Sequence, residues 1–248
     1  MPAFAASSPS ALPAIHPLLW RGSQLARADQ PCVETGHPEL SRNLPGGGWP
    51  LGQLIELLLP HSGIGELRLL LPALRRLPPK RSIVLLRPPH VPCQQAWLAQ
   101  GFPVRQLLWV SPRETTNALW AAEQILKHGS CGALLYWAEH SSATALRRLH
   151  LAAQGGETAF FMFRPAAAAQ ASSPASLRLL LQPAGDRLCL RILKRRGPCQ
   201  ETPLVLPLAP APSAPGDAVP SSEPHHAVVD SRLPDATQPR RTEPALVG

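Results

Sequence analysis

Residues 35–71 read TGHPELSRNLPGGGWPLGQLIELLLPHSGIGELRLLL. A turn rich in Gly and Pro feeds the apolar run Gln53–Leu59, which passes through a loop into a segment of helical periodicity. Strand, loop, helix is the order in which phosphate-binding loops are built, with backbone N–H groups at a helix start, a Lys for the phosphates and a Ser or Thr for the metal. The pattern for that chemistry is G-x-x-x-x-G-K-[ST]. Here the loop offers Ser62, Gly63, Ile64, Gly65 and Glu66; it has no Lys, and Glu66 stands in place of the metal-binding hydroxyl. A carboxylate pointing at a triphosphate is repulsive, and magnesium has lost a ligand. The scaffold of a nucleotide site is there without its working groups, so no cofactor is expected.

Outward from this stretch, the chain alternates strand and helix signals. Gln53–Leu59 is too apolar to keep one face in water, as expected of a strand covered on both faces in a parallel sheet. Gly65–Leu77 has helical spacing, with Leu67, Leu70, Leu71, Leu74 and Leu77 on one side, and Pro72 should kink it or delay its start. Ser82–Arg87 is a second strand, Val91–Gln100 a short helix ended by Gly101, and Val104–Val110 a third strand. Ser111-Pro112-Arg113-Glu114 has the form of a capping box with proline at the first helical position. It predicts a helix with Ala118, Leu119, Ala122, Ile125 and Leu126 inward, ending at Gly129. Cys131–Trp137 is a fourth strand. Ser141 or Ser142 caps a helix with Leu146, Leu149 and Ala153 inward, and Thr158–Phe163 is a fifth strand. Such alternation means βαβ units and a mostly parallel sheet with helices on both faces. Arg164–Ala175 interrupts the pattern, and its composition suggests slack. Leu177–Leu181 and Leu188–Leu193, joined through Pro183–Asp186, make a C-terminal β-hairpin.

Composition sets the limits. Proline, 31 of 248 residues, crowds into the ends and connections. This divides the chain into an N-terminal stretch 1–17, a core 18–208 and a Pro-rich tail 209–248, both ends expected to be disordered. Trp20 is expected to pack on the core as a brace. The net charge is +8. Arg232, Arg240 and Arg241 face Asp217, Glu223, Asp230, Asp235 and Glu243 in the tail, leaving it at about −2 and the rest at about +10. A basic core suits a polyanion or an acidic partner, and it is equally what an Arg-rich composition gives. The five cysteines include no C-x-x-C pair, so zinc and dithiol chemistry have no foothold. Neither a signal-peptide pattern nor 18 consecutive apolar residues is present, so a cytoplasmic protein with no membrane span is expected.

Thr35, Gly36, Leu40, Leu44, the glycines 46–48, Pro50 and Gly52 ahead of the strand resemble the lead-in to the RecA-type ATPase core. The fuller string LPGGGWPLGQLIELLL…GIGELRLLLPALRRL is similar to the ImuA group, RecA-like accessory proteins of bacterial SOS mutagenesis, and more distantly to SulA, the SOS inhibitor of cell division. The resemblance runs from about Trp20 to about Leu208. It implies a RecA-like three-layer α/β fold in which two catalytic positions are vacant. The second strand, where an ATPase of this type carries the carboxylate that orients water, runs out into Arg87-Pro88-Pro89-His90. The fourth, where the second metal-binding acid ends a strand, finishes Tyr136-Trp137-Ala138, with Glu139 two residues beyond. No Asp lies between 30 and 185. A degenerate, non-enzymatic ATPase fold is expected. There is also no G-x-S-x-G, no H-E-x-x-H and no carboxylate cluster for two metals, and His225-His226 falls in the tail.

The function implied is an accessory protein of DNA-damage-induced translesion synthesis. It would bind RecA and an ImuB-like Y-family polymerase-like partner, with a C-family error-prone polymerase reached indirectly and single-stranded DNA a further candidate. The alternative is a SulA-like division inhibitor that binds FtsZ. Candidate contacts are Lys194, Arg195 and Arg196, the densest positive run in the chain, and Arg75 and Arg76 on the first long helix; solvated surface is the bland reading of both.

Overall fold

A computed structural model describes residues 31–197 and 202–208. The expectations for Trp20, residues 1–17 and the tail 209–248 lie outside those residues. The described elements, in chain order, begin with β1 (Cys32–Glu34), α1 (Pro38–Asn43), a 3-10 turn (Pro45–Gly47) and β2 (Gly48–Pro50). These lead into β3 (Gln53–Leu59), α2 (Glu66–Leu74), β4 (Ile83–Leu86) and α3 (Gln94–Ala99). Then come β5 (Leu107–Val110), α4 (Thr115–His128), β6 (Ala133–Trp137), α5 (Ala143–Ala153) and β7 (Ala159–Pro165). A 3-10 turn (Ala166–Gln170) leads to β8 (Leu177–Ala184), β9 (Arg187–Lys194) and β10 (Leu204–Pro207).

The main sheet has eight strands in the order β10-β9-β8-β3-β7-β6-β4-β5. From β8 to β5 every pairing is parallel, and β9 and β10 add an antiparallel edge. β1 and β2 form a separate antiparallel pair. The sheet is mixed and mostly parallel, as the alternating elements predicted.

Side-chain alternation along the central strands explains the layering. Ile55, Leu57, Leu85, Leu135, Phe161 and Phe163 pack with Leu69, Leu70, Ala73 and Leu74 of α2 and with Leu40 and Trp97 of α1 and α3. Leu54, Val84, Leu134, Phe160 and Met162 face the other way, onto Ala118, Ala122 and Leu126 of α4 and Leu146 and Leu149 of α5. Helices therefore cover both faces, and β3 is buried from Leu54 to Leu59.

Local details differ from expectation where tertiary contacts outweigh local signals. α2 starts on time but ends two residues past Pro72, and its buried positions are Leu69, Leu70, Ala73 and Leu74, with Leu67 and Leu71 only partly buried. Only the second half of Val104–Val110 is strand; Val104–Gln106 is a 3-10 turn. The capping box is not used. α4 begins at Thr115 with Glu114 as N-cap and no capping side-chain bond, and the Thr115 hydroxyl accepts from Arg87 Nη1 instead. Ser142 does cap α5, accepting from the Ala145 N–H at 3.2 Å.

Gly52 shows why the turn before β3 is glycine-rich. Its N–H donates to the Thr158 carbonyl at 3.0 Å, aligning the starts of β3 and β7. Its φ is +63°, and a Cβ there would sit 2.2 Å from the Gly156 carbonyl oxygen. Gly52→Ala is expected to destabilise the domain by about 1–2 kcal/mol from the left-handed backbone alone, with the clash adding to it. Urea denaturation would show this as a lower midpoint at an unchanged slope.

Candidate functional site

The loop between β3 and α2 has the strand–loop–helix geometry its sequence predicted, and the structure shows where its acid points. Glu66, the first residue of α2, is 4% exposed. Its carboxylate turns back into the loop: Oε1 accepts from the Gly63 N–H at 2.8 Å and Oε2 from the Gly65 N–H at 3.1 Å. Gly63 and Gly65 both have positive φ, +89° and +107°, which aims their N–H groups inward as successive glycine turns do in anion-binding nests. The N–H groups that would cradle a phosphate are thus taken by a carboxylate of the same chain. From sequence, Glu66 is a repulsive group facing a ligand; in the structure its carboxylate faces the loop's own Gly63 and Gly65 N–H groups.

A second feature closes the same loop. Leu208, just past β10, is buried, and a Cβ on Gly65 would lie 2.4 Å from its Cδ1. Arg68 Nη2 holds the Leu208 carbonyl at 3.0 Å. The end of the core therefore lies across the start of α2.

The candidate cations fall in two places. Arg75 and Arg76 follow α2. Arg75 donates to the Gln100 carbonyl and side chain at 2.9 and 2.8 Å, and Arg76 pairs with Glu34 at 2.9 Å. Lys194 ends β9, with Arg195 and Arg196 following. Lys194 Nζ donates to the Ser173 carbonyl at 2.8 Å, and Arg195 bonds the Asn43 carbonyl. These side chains tie α3, β1, α1 and the segment before β8 to the core, so the two groups share no site.

What the sequence reading passed over is a buried cluster at the carboxyl end of the sheet. Glu56, at the centre of β3, is fully buried and meets two buried arginines. Arg164, near the end of β7, donates through Nη1 to Oε1 at 2.8 Å; Arg178, in β8, donates through Nε to Oε2 at 2.7 Å. Arg178 also reaches the carbonyls of Ala168 (2.7 Å) and Ala169 (3.4 Å). The segment 166–170, read as slack, is held in a 3-10 turn by this cluster. The available signal was an acid inside an otherwise apolar strand, which a buried sheet tolerates only when the charge is paired.

Beside the cluster lies a cleft of about 180 Å³, formed by the loops that follow β3, β4, β6 and β7. Arg87, at its wall, has φ +50°, and among the described residues it is the one non-glycine with positive φ. Trp137 stacks on Phe163 with centroids 4.4 Å apart. Burial pushes the neighbouring Tyr136 phenol up, and the Arg87 charge only partly offsets this. Glu139 is exposed on the same wall, with no other acid in the lining. Among the described residues no group of three His, Cys, Asp or Glu is placed to hold a metal ion, and no helix is long and apolar enough to cross a membrane. Compared with protein-family models and with curated proteins, the chain matches none.

Proposed function

We propose that this chain is a non-enzymatic adaptor of DNA-damage-induced translesion synthesis, a RecA-like core that binds RecA and an ImuB-like Y-family polymerase-like partner. The observation that carries the non-enzymatic half is the Glu66 carboxylate on the Gly63 and Gly65 N–H groups. A phosphate loop filled by its own acid has no use for ATP. The partner identities rest on the sequence resemblance.

The partner half has physical support at the β5 edge of the sheet. Six of the eight exposed large apolar side chains among the described residues, Val91, Leu98, Val104, Leu108, Trp109 and Trp120, lie in the stretch 91–120 that includes this edge, with Trp120 63% and Trp109 50% exposed; Leu151 and Val205 lie elsewhere. Among the described residues β5 pairs only with β4, which leaves its outer backbone groups for another partner. Exposed tryptophans, Trp109 on this strand and Trp120 on α4, are the composition of an interface centre.

Co-purification tests the reading. The tagged full chain is expected to retain RecA or a Y-family-like partner, with or without single-stranded DNA. Trp109→Ser with Trp120→Ser is expected to weaken capture by about thirtyfold, the effect of losing an anchor residue. ATP with magnesium is expected to leave the melting temperature unchanged. Capture of FtsZ in place of both partners would overturn the translesion reading in favour of a division inhibitor.

A further inference from the structure

The Glu56 cluster is unbalanced: one carboxylate serves two buried guanidiniums. The two arginines are not used alike. Arg178 spends its remaining N–H groups on the Ala168 and Ala169 carbonyls. Arg164, only 7% exposed, turns Nη1 to Glu56 and leaves Nε without a partner. A buried cation with a spare donor is costly unless something completes it. The unused side of Arg164 is its Nε–Nη2 edge, the edge a carboxylate grips with two parallel bonds.

Arg164 also lines the 180 Å³ cleft, and it lines a neighbouring one of about 450 Å³ that shares Glu139 and Pro165 with the first. Two further groups on the first cleft point to the same ligand. Trp137 Nε1 is buried without a partner, a second orphan donor. Arg87, whose backbone is left-handed and whose Nη1 donates to the Thr115 hydroxyl, supplies a second cation on the wall. The cleft lies outside the carboxyl ends of parallel strands, where open α/β sheets bind ligands. Two cations and an indole N–H against one exposed acid favour an anion, and 180 Å³ admits a small acidic group but not a nucleotide.

We propose that this cleft binds a carboxylate, gripped by Arg164 and Arg87 with Trp137 Nε1 as a third donor. Pro60, His61 and Ser62 of the β3–α2 loop also line this cleft, but its three donors are distinct from the Gly63 and Gly65 N–H groups that Glu66 fills, and the site stands apart from the adaptor reading.

The test uses the full chain, isotope-labelled, with malonate, phosphate or chloride added at constant ionic strength. The Trp137 indole N–H signal, identified by its loss in Trp137→Phe, is followed by NMR. Malonate is expected to shift it saturably, chloride not at all, and the Gly63 and Gly65 amides are expected to stay put. Arg87→Gln, which removes one charge-assisted contact at a half-buried position, is expected to weaken malonate by about tenfold or more. Arg164→Lys keeps the charge, loses the two-bond edge and is expected to weaken it similarly; should that variant fail to fold, Arg87→Gln carries the test. No saturable shift with malonate, saturation by phosphate alone, movement of the Gly63 and Gly65 amides instead, or undiminished affinity in Arg87→Gln would each overturn the proposal.

Discussion

Glu56→Ala is expected to remove a large share of the domain's stability and to unfold at a much lower urea concentration than the wild type. The substitution removes the single anion that two buried guanidiniums share, at 2.8 and 2.7 Å, and strands both in the sheet. Breaking a buried ion pair in this one-sided way costs about 3–5 kcal/mol, against a total stability of about 5–15 kcal/mol for a typical domain. The cost comes from the charges left behind. Replacing all three members with apolar residues of similar size, Glu56→Leu with Arg164→Met and Arg178→Met, is therefore expected to recover most of the loss. Urea denaturation of the two variants separates the cases. What the triple variant cannot recover is the hold of Arg178 on the Ala168 and Ala169 carbonyls, so amide exchange across 166–170 is expected to quicken in it. If Glu56→Ala unfolds at the wild-type urea concentration, the triad is not what holds this end of the sheet.

The triad also marks how far the sequence could be read. The bounds Gln53–Leu59 are visible in the sequence and hold in the structure, because a run of apolar residues between a Gly/Pro turn and a Gly-containing loop has few ways to fold. The hairpin of β8 and β9 was legible for the same local reason: an alternating strand beside a Pro-Ala-Gly-Asp turn. Helices on both faces followed from the βαβ order. The pairing of Glu56 with Arg164 and Arg178, 108 and 122 residues away, depends on β7 and β8 flanking β3, and no local pattern states that order. With the neighbours unknown, Glu56 is one polar letter in an apolar strand, and Arg164 looks like the start of a loop. The unused capping box at Ser111 has the same cause. α4 starts at Thr115 instead, and the Thr115 hydroxyl takes a bond from Arg87, 28 residues away, which no local pattern states.

Replacing Glu66 is expected to do two things at once, and the second identifies its role. Glu66→Ala removes two bonds from backbone N–H groups to a carboxylate at the start of α2. Hydrogen bonds to charged groups contribute about 1.5–3 kcal/mol each, and water reaching the exposed Gly63 returns part of that, so a net loss of about 2–4 kcal/mol is expected. For a domain of this size that is a fall of roughly 5–10 °C in melting temperature. A merely structural acid would stop there. If Glu66 stands in for a phosphate, its removal also empties an anion-binding loop whose N–H groups point inward at a helix N-terminus. Phosphate at constant ionic strength is then expected to raise the melting temperature of Glu66→Ala and to shift the Gly63 and Gly65 amides, leaving those amides unmoved in the wild type. Glu66→Gln, which keeps the shape but offers one acceptor oxygen where the carboxylate has two, is expected to fall between. A variant that loses stability yet ignores phosphate would show that Glu66 caps the helix and nothing more. A wild-type protein whose Gly63 and Gly65 amides respond to phosphate would show that the carboxylate yields its place, and the loop would again be a candidate for a nucleotide.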